Sequence, residues 1–131
     1  MYGNAHEGTT LYQESIVAMR AAAATPHQLV LMLFDGLMDE LMRARSHIVA
    51  KRYERKGQSI NKCIDILNGL TSSLDYEKGG ELVLNLAGLY DYSVYRLYDV
   101  SHTLDVDGLD EVIAILENIR QGWHAMDRHD G

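Results

Sequence analysis

Hydrophobic residues recur along most of this chain at intervals of three and four, the spacing that places side chains on one face of an α-helix. The clearest case is the stretch 25–50, where Thr25 can cap, Pro26 suits the first helical position and Gln28 completes a capping box. Its apolar residues form two adjacent stripes. The first contains Val30, Leu33, Phe34, Leu37, Leu41, Ala44 and Ile48, and the second contains Leu31, Met38, Met42 and Val49. The first stripe must be buried in a hydrophobic core, whereas the second must be covered either by a larger core or by a partner protein.

Two further helices follow the same spacing. We interpret the polar stretch 53–57 as a connection and 75–78 as a turn. The second helix lies between this connection and this turn. Its seam, the row of apolar residues expected to face the core, is Ile60, Cys63, Ile64, Leu67, Leu70 and Leu74. The third helix opens at Gly79 and Gly80, and its seam is Leu82, Leu86, Leu89, Ser93, Leu97 and Val100, flanked by Val83, Tyr90 and Val94. Opposite that seam lies a ridge of Tyr92, Tyr95 and Tyr98, an aromatic face for a surface expected to meet water.

The fourth helix is capped by Asp105 or Asp107. Its seam is Leu109, Val112, Leu116, Ile119 and Trp123. Residues 127–131 are predicted to fray and residues 1–9 to be flexible. Between residues 10 and 24 a short amphipathic segment carries Leu11, Tyr12 and Ile16, and it must lie on a larger surface to be helical. The prediction is one all-α domain over 10–126, an antiparallel up-down-up-down four-helix bundle with a short N-terminal helical segment.

Composition narrows the functional classes. The chain has 131 residues, of which 47% are hydrophobic and 24% charged, which is ordinary for one globular domain. A net charge of -7 argues against nucleic-acid binding. Six basic residues nevertheless crowd the end of the first helix: Arg43, Arg45, Lys51, Arg52, Arg55 and Lys56. The helix macrodipole favours cations there, and the alternative interpretation is a patch for nucleic acid or an acidic partner. The single cysteine, Cys63, falls on an apolar helix position and is interpreted as a buried hydrophobe in a reducing compartment. Neither a signal peptide nor a membrane-spanning run is visible.

Motifs for catalysis or metal binding find little support. The six histidines are scattered and HExxH is absent. Asp105, Asp107 and Asp110 fit helix capping better than a calcium loop, because Gly108 comes too early and the terminal glutamate is missing. No local motif marks a nucleophile. We therefore expect no enzyme activity, no metal and no cofactor. Spare apolar surface on the first and third helices leaves two alternatives, a larger core or a protein partner.

Several blocks of the chain resemble the FliS family of flagellin export chaperones. TPHQLVLMLFDGL at 25–37 is similar to the family's SPxQLIxMLFDG helix start, and MRARSHI at 42–48 to its VRAR continuation. The stretch 59–97 resembles the part of the family that contains LD, GGE and LYDY, and EVIAILENIRQGW at 111–123 resembles its end. The order and spacing match from Leu11 to Trp123. Thr9 stands where the family often has an apolar residue, and Tyr95 where it is commonly basic.

The resemblance implies a cytoplasmic bundle that binds the C-terminal segment of flagellin, prevents premature polymerisation and delivers it to the type III export gate protein FlhA. It also implies that the N-terminal segment covers an empty client groove and that Tyr12 contributes to gate docking. We expect a monomer, with a dimer as the alternative when no client is bound.

The double stripe and the resemblance together predict a client surface on the first three helices. Its residues are Leu31, Met38, Met42, Ile60, Ile64, Leu67, Leu89 and Tyr92. Leu11, Tyr12 and Ile16 form the displaceable cover. The alternative function is a small helical adaptor or regulatory protein for another flagellar or unrelated protein.

Overall fold

The structure, a computed structural model, describes the backbone of residues 23–130 and the side chains of residues 23–126. Within this part the chain forms four helices: α1 (Pro26–Val49), α2 (Tyr53–Ser72), α3 (Gly80–Thr103) and α4 (Val106–Asp130). Helix α1 packs against α2 and α4, and α3 packs against the same two neighbours. Because short connections reverse the chain each time, the result is an antiparallel up-down-up-down bundle. The predicted fold class is confirmed. The predictions for residues 1–22 concern a part of the chain that lies outside the described residues.

The start of α1 matches its prediction. The backbone N–H of Gln28 donates to the Thr25 hydroxyl at 3.1 Å, and the Thr25 N–H donates to the Gln28 side-chain carbonyl at 3.0 Å. Pro26 occupies the first turn, where its missing N–H costs nothing. This reciprocal pair fixes where the chain enters the bundle.

The predicted connection at 53–57 is wrong, because α2 already begins at Tyr53. The turn contains only Ala50, Lys51 and Arg52, with Lys51 in the left-handed region at φ 62°. Gly57, which the prediction placed in the connection, therefore lies inside α2. A glycine inside a helix costs about 1 kcal/mol of stability, which tertiary contacts can offset. One such contact is the Lys56 ammonium, which donates to the Ser101 carbonyl of α3 at 2.8 Å.

The core lies between all four helices and follows most of the predicted seams. Its buried members are Phe34, Leu37, Leu41, Ala44, Ile48, Ile60, Cys63, Ile64, Leu67, Leu70, Tyr90, Leu97, Val100, Leu109, Val112 and Leu116. The first stripe of α1 and the seam of α2 are confirmed in all but their margins, since Val30, Leu33 and Leu74 are only partly buried.

The first half of α3 is rotated relative to its predicted seam. Val83 and Tyr90 are buried, whereas Leu82 and Leu89 are exposed. The Tyr90 ring packs toward Phe34 with centroids 6.3 Å apart, so the larger side chain fills the space beside α1. Farther along, Ser93 is buried as predicted, and its hydroxyl donates to the Leu89 carbonyl at 2.8 Å.

Helix α4 begins at Val106, and the Asp105 carbonyl accepts the first helical hydrogen bond from Leu109 at 3.1 Å. Of the two predicted caps, Asp105 therefore occupies the position before the helix and Asp107 lies in its first turn. The helix continues to Asp130, beyond its predicted end at Met126.

Candidate protein-binding surface

An apolar groove lies between the start of α3 and the end of α4, which meet at one end of the antiparallel bundle. A cavity of about 250 Å³ marks it, and we call it the α3–α4 groove. Its residues are Leu82, Leu86, Ile119, Gly122, Trp123 and Met126. It shares Leu82, Leu86 and Trp123 with a second cavity of about 280 Å³, which extends toward Val30 and Leu74. The two cavities therefore form one continuous apolar depression.

The groove follows from the rotation of α3. Once Val83 and Tyr90 fill the core, Leu82 and Leu86, spaced four apart, line the groove beside α4, and Leu89 follows on the same face of α3. Across from them, Ile119, Trp123 and Met126 share one face of α4 by the same spacing. Both walls of the groove are therefore apolar.

Trp123 anchors the wall formed by α4. Its ring lies 5.1 Å from the ring of His27 on α1, tilted by 49°. Burial raises the pKa of Tyr90 to about 12, and a side-chain hydrogen bond with Trp123 partly opposes that rise. The indole is therefore held by both α1 and α3, while its remaining surface lines the groove.

Polar contacts close the interface between α3 and α4 beyond the groove. The Tyr92 hydroxyl donates to Glu111, and this hydrogen bond, ahead of desolvation, raises the pKa of Tyr92. The Arg96 guanidinium lies 3.8 Å from Glu111 and 2.8 Å from Asp99. The groove is thus bounded by charged residues toward the other end of the bundle.

A shallower depression of about 450 Å³ flanks the entry to α1. Its residues are Ala23, Ala24, Gln28, Leu31, Met32, Asp35 and His124. Along its border Arg120 donates to Asp35 at 2.9 Å and pairs with Glu117 at 2.9 Å. The hydrogen bond from Arg120 is the main cause of the lowered pKa of Glu117. The chain therefore enters the described structure at the same end as the α3–α4 groove.

The structure does not bring the predicted client residues together on one surface. Ile60, Ile64 and Leu67 belong to the core. Leu31 is buried and Met38 is partly buried, whereas Met42, Leu89 and Tyr92 are exposed. Leu11, Tyr12 and Ile16 lie outside the described residues. The role of each as a client or cover residue stays a prediction.

Sequence reasoning missed the residues that form the groove. It placed Leu82, Leu86, Ile119 and Trp123 in core seams and assigned Met126 no role. Leu86, Ile119 and Trp123 do pack against the core, but they also line the groove, whereas Leu82 is exposed. The available signal was the doubled apolar face of α3, where Leu82 precedes Val83 and Leu89 precedes Tyr90. Tyr95 and Tyr98 of the predicted ridge are exposed, as expected, but they lie outside the groove.

Other chemistry is sparse in the part of the chain that the structure describes. Burial raises the pKa of the Cys63 thiol to about 12, so the reactive thiolate is suppressed. Within residues 23–126, no cluster of three or more His, Cys, Asp or Glu side chains is arranged to hold a metal ion. Among the four described helices, none has the length and apolar character needed to cross a membrane.

Comparison with known proteins gives a consistent result. Residues 8–130 match the family model of the flagellar protein FliS. The flagellar secretion chaperone FliS of Salmonella typhimurium is 40% identical over 117 residues, covering 88% of this chain and 87% of that protein. The flagellar secretion chaperone FliSB of Pseudomonas aeruginosa is 38% identical over 86% of this chain and 89% of its own.

A solved structure shares the fold. The crystal structure of a flagellar chaperone from bacteria superposes with a TM-score of 0.75, covering 89% of this chain and 98% of that one. The two sequences are 14% identical. This likeness supports the bundle architecture independently of close sequence similarity.

Proposed function

The chain belongs to the FliS family of flagellar secretion chaperones, and from that premise we propose that it binds the C-terminal segment of flagellin in the cytoplasm. Binding would prevent premature polymerisation until the client is delivered to the export gate protein FlhA. The observation that supports this most directly is the α3–α4 groove, an apolar surface that the bundle does not cover. Such a function requires binding and release but no catalytic group.

The groove suits an amphipathic client. Leu82 and Leu86 on one wall and Trp123 on the other can receive the apolar face of a helix. Flagellin's terminal segment would order as it binds, at a cost of about 2–5 kcal/mol, which keeps the complex releasable. We propose that Leu89 and Tyr92 extend the contact along α3, while the buried Ile60, Ile64 and Leu67 support the bundle from within. In this proposal Leu31, Met38 and Met42 form a second contact along α1.

We also propose that the N-terminal segment covers the empty groove and takes part in gate docking. The chain enters beside Gln28 and His124, at the groove end of the bundle. The six residues between Ile16 and Ala23 give seven Cα-to-Cα steps, which span at most about 25 Å when extended, a length that suits placement of Leu11, Tyr12 and Ile16 on the groove. When the client displaces the N-terminal segment from the groove, Tyr12 would become accessible to FlhA.

The test compares two leucines of nearly equal exposure on the same helix. Leu82 in the groove is 64% exposed and Leu84 outside it is 63% exposed. Calorimetric titration with a flagellin C-terminal peptide should show binding with a negative heat-capacity change. Leu82→Asp should weaken that binding about 10- to 100-fold, the loss expected for one buried leucine contact.

Leu84→Asp carries the same change of charge and should leave the affinity within about twofold of wild type. Equal weakening by both variants would argue against the groove as the client site. Absence of any heat or co-elution with the wild-type protein would reject the client itself. Capture of a different flagellar protein by a surface that Leu82→Asp leaves intact would favour the adaptor alternative.

A further inference from the structure

The turn between α1 and α2 carries an exposed positive surface at the end of the bundle away from the groove. All seven residues from 49 to 55 are exposed, and we call this stretch the α1–α2 tip. Residues 43–56 contain six basic residues and one acidic residue, a net charge of +5. Because the whole chain carries -7, the remaining residues together carry -12. Half of the chain's twelve Lys and Arg residues therefore lie in this stretch of 14 residues.

Three of the six cations are already engaged within the bundle. Arg43 pairs with Glu40 at 2.7 Å, and Arg45 pairs with Asp110 at 2.8 Å. Lys56 donates to the Ser101 carbonyl, as described above. These contacts stabilise the bundle, and they leave Arg43, Arg45 and Lys56 with little uncompensated charge to attract another molecule.

The other three cations, Lys51, Arg52 and Arg55, make no ion pair with any side chain that the structure describes. Arg52 donates to the His47 imidazole at 3.0 Å. Desolvation first, and then repulsion by Arg52 and Arg55, lowers the pKa of His47, while Glu40 opposes the change. The imidazole is therefore close enough to Arg52 and Arg55 to sense their charge in addition to its own desolvation, although the tip also contains the exposed carboxylate of Glu54.

Exposed apolar side chains accompany these charges. Val49 and Tyr53 flank the turn on either side of Lys51 and Arg52, and both are exposed. Since tyrosine combines an apolar ring with a hydrogen-bonding hydroxyl, the tip offers contact area as well as charge.

We propose that the α1–α2 tip docks an acidic segment of a partner polypeptide, in which clustered Asp or Glu residues meet Lys51, Arg52 and Arg55 and an apolar residue contacts Val49 or Tyr53. A flat anionic bilayer fits this surface less well. The neighbouring turn, joined to α1 by the Arg45 and Asp110 pair, presents the exposed carboxylates of Asp105 and Asp107. A bilayer would meet both turns, whereas a peptide segment can follow the positive one alone.

The position of the tip separates this surface from the client groove. Val30, in the first turns of α1, lines the cavity beside the groove, whereas the tip follows the end of the same helix. At 1.5 Å per residue, the 24 residues of α1 span about 36 Å. Client and acidic partner can therefore be bound at the same time.

The test uses a defined probe, a fluorescent 12-residue synthetic peptide of glutamate pairs separated by leucines. Arg52→Glu/Arg55→Glu should weaken its binding about tenfold, because two attractions become repulsions. Lys62→Glu/Lys78→Glu gives the same change in net charge elsewhere and should have little effect. Raising salt from about 0.1 M to 1 M should abolish binding, since the screening length falls from about 10 Å to 3 Å.

The His47 resonance supplies a local readout by NMR. Bound peptide should raise the pKa of His47 toward its ordinary value by compensating Arg52 and Arg55, and circular dichroism should show that each variant remains folded. Equal weakening by both double variants, an unchanged His47 titration, or binding of phosphatidylglycerol vesicles in place of the peptide would each overturn the proposal.

The proposal for the client groove and the proposal for the α1–α2 tip can be contradicted independently of each other. Arg52→Glu/Arg55→Glu should leave titration by the flagellin peptide unchanged, and a loss there would overturn the separation of the sites. If the wild-type protein bound no flagellin peptide, the proposed client would be wrong while the acidic-segment result would stand.

Discussion

At the scale of single residues, the choice of Tyr90 over Leu89 for the core has the largest consequence. The Tyr90 ring is almost fully buried against Phe34 and beside Trp123, so Leu82 and Leu89 are left exposed, while Leu82 and the partly buried Leu86 line the groove beside α4. Leaving leucines partly exposed forgoes about 25 cal/mol for each Å² of apolar area not buried. A partner that covers this area would recover that stabilisation.

The ion pair between Arg45 and Asp110 makes stability depend on pH. The hydrogen bond from Arg45 lowers the pKa of Asp110 below its ordinary value of 3.8. A lowered pKa in the folded state means that the pair stabilises the fold above the unfolded value and loses this effect as pH falls through the folded value. Arg45→Gln should therefore reduce the urea midpoint at pH 6.

The difference between Arg45→Gln and wild type should shrink as the pH falls from about 5 toward 2. Lys62→Gln is the control, since Lys62 makes only a 4.0 Å contact with Glu40 and is largely exposed. A difference that stayed constant over this range would show that Arg45 acts through packing and not through the charge of Asp110.

At the scale of elements, helix starts and core faces differ in how far sequence predicts them. The start of α1 is predicted because its cap is local, with Thr25 and Gln28 three residues apart. The start of α2 is not, because Arg52 provides no side-chain cap and distant contacts such as Lys56 with Ser101 favour the extra helical residues.

The face of α3 shows the limit of periodicity. Adjacent apolar residues, Leu82 with Val83 and Leu89 with Tyr90, define two faces that differ by one position, so spacing alone cannot choose between them. Tertiary packing decides, because the Tyr90 ring fills the core beside Phe34 and Leu89 does not. For that reason the four-helix fold was predictable from sequence, whereas the groove, formed by the face left over, was not.

The two glycines at the start of α3, Gly79 before the helix and Gly80 as its first residue, provide an element-scale prediction. A Cβ at Gly79 would lie 1.7 Å from Val83 Cγ2 and 3.0 Å from the Asp75 carbonyl oxygen. Gly79→Ala should therefore cost about 1–3 kcal/mol of unfolding free energy through overpacking. Gly80 has open space but a φ of 56°, so Gly80→Ala should cost about 1–2 kcal/mol through backbone strain.

Gly69, inside α2, is the matched control, because its added Cβ meets no atom within 4 Å. Gly69→Ala should stabilise the protein by about 1 kcal/mol through helix propensity. Urea unfolding of the three variants gives the comparison. If Gly79→Ala were as stabilising as Gly69→Ala, the close approach of Val83 to Gly79 would be contradicted.

At the scale of the whole molecule, the bundle separates two kinds of surface. The apolar α3–α4 groove and the chain entry share one end, whereas the basic α1–α2 tip lies at the other. The buried core lies between these two ends, so under the proposed function partners would bind and leave without disturbing the core. This arrangement suits a carrier that must hold one protein while it meets another.

The most direct test of the central claim is a photo-crosslinking map of the complex with the flagellin C-terminal peptide. A photoreactive residue is placed in turn at the positions of Leu82 and Met126 in the groove, and of Leu84 and Tyr95 outside it. We predict strong crosslinks from the two groove positions and none above background from the other two. Crosslinks concentrated at Leu84 and Tyr95, with none at Leu82 or Met126, would contradict the groove as the client site.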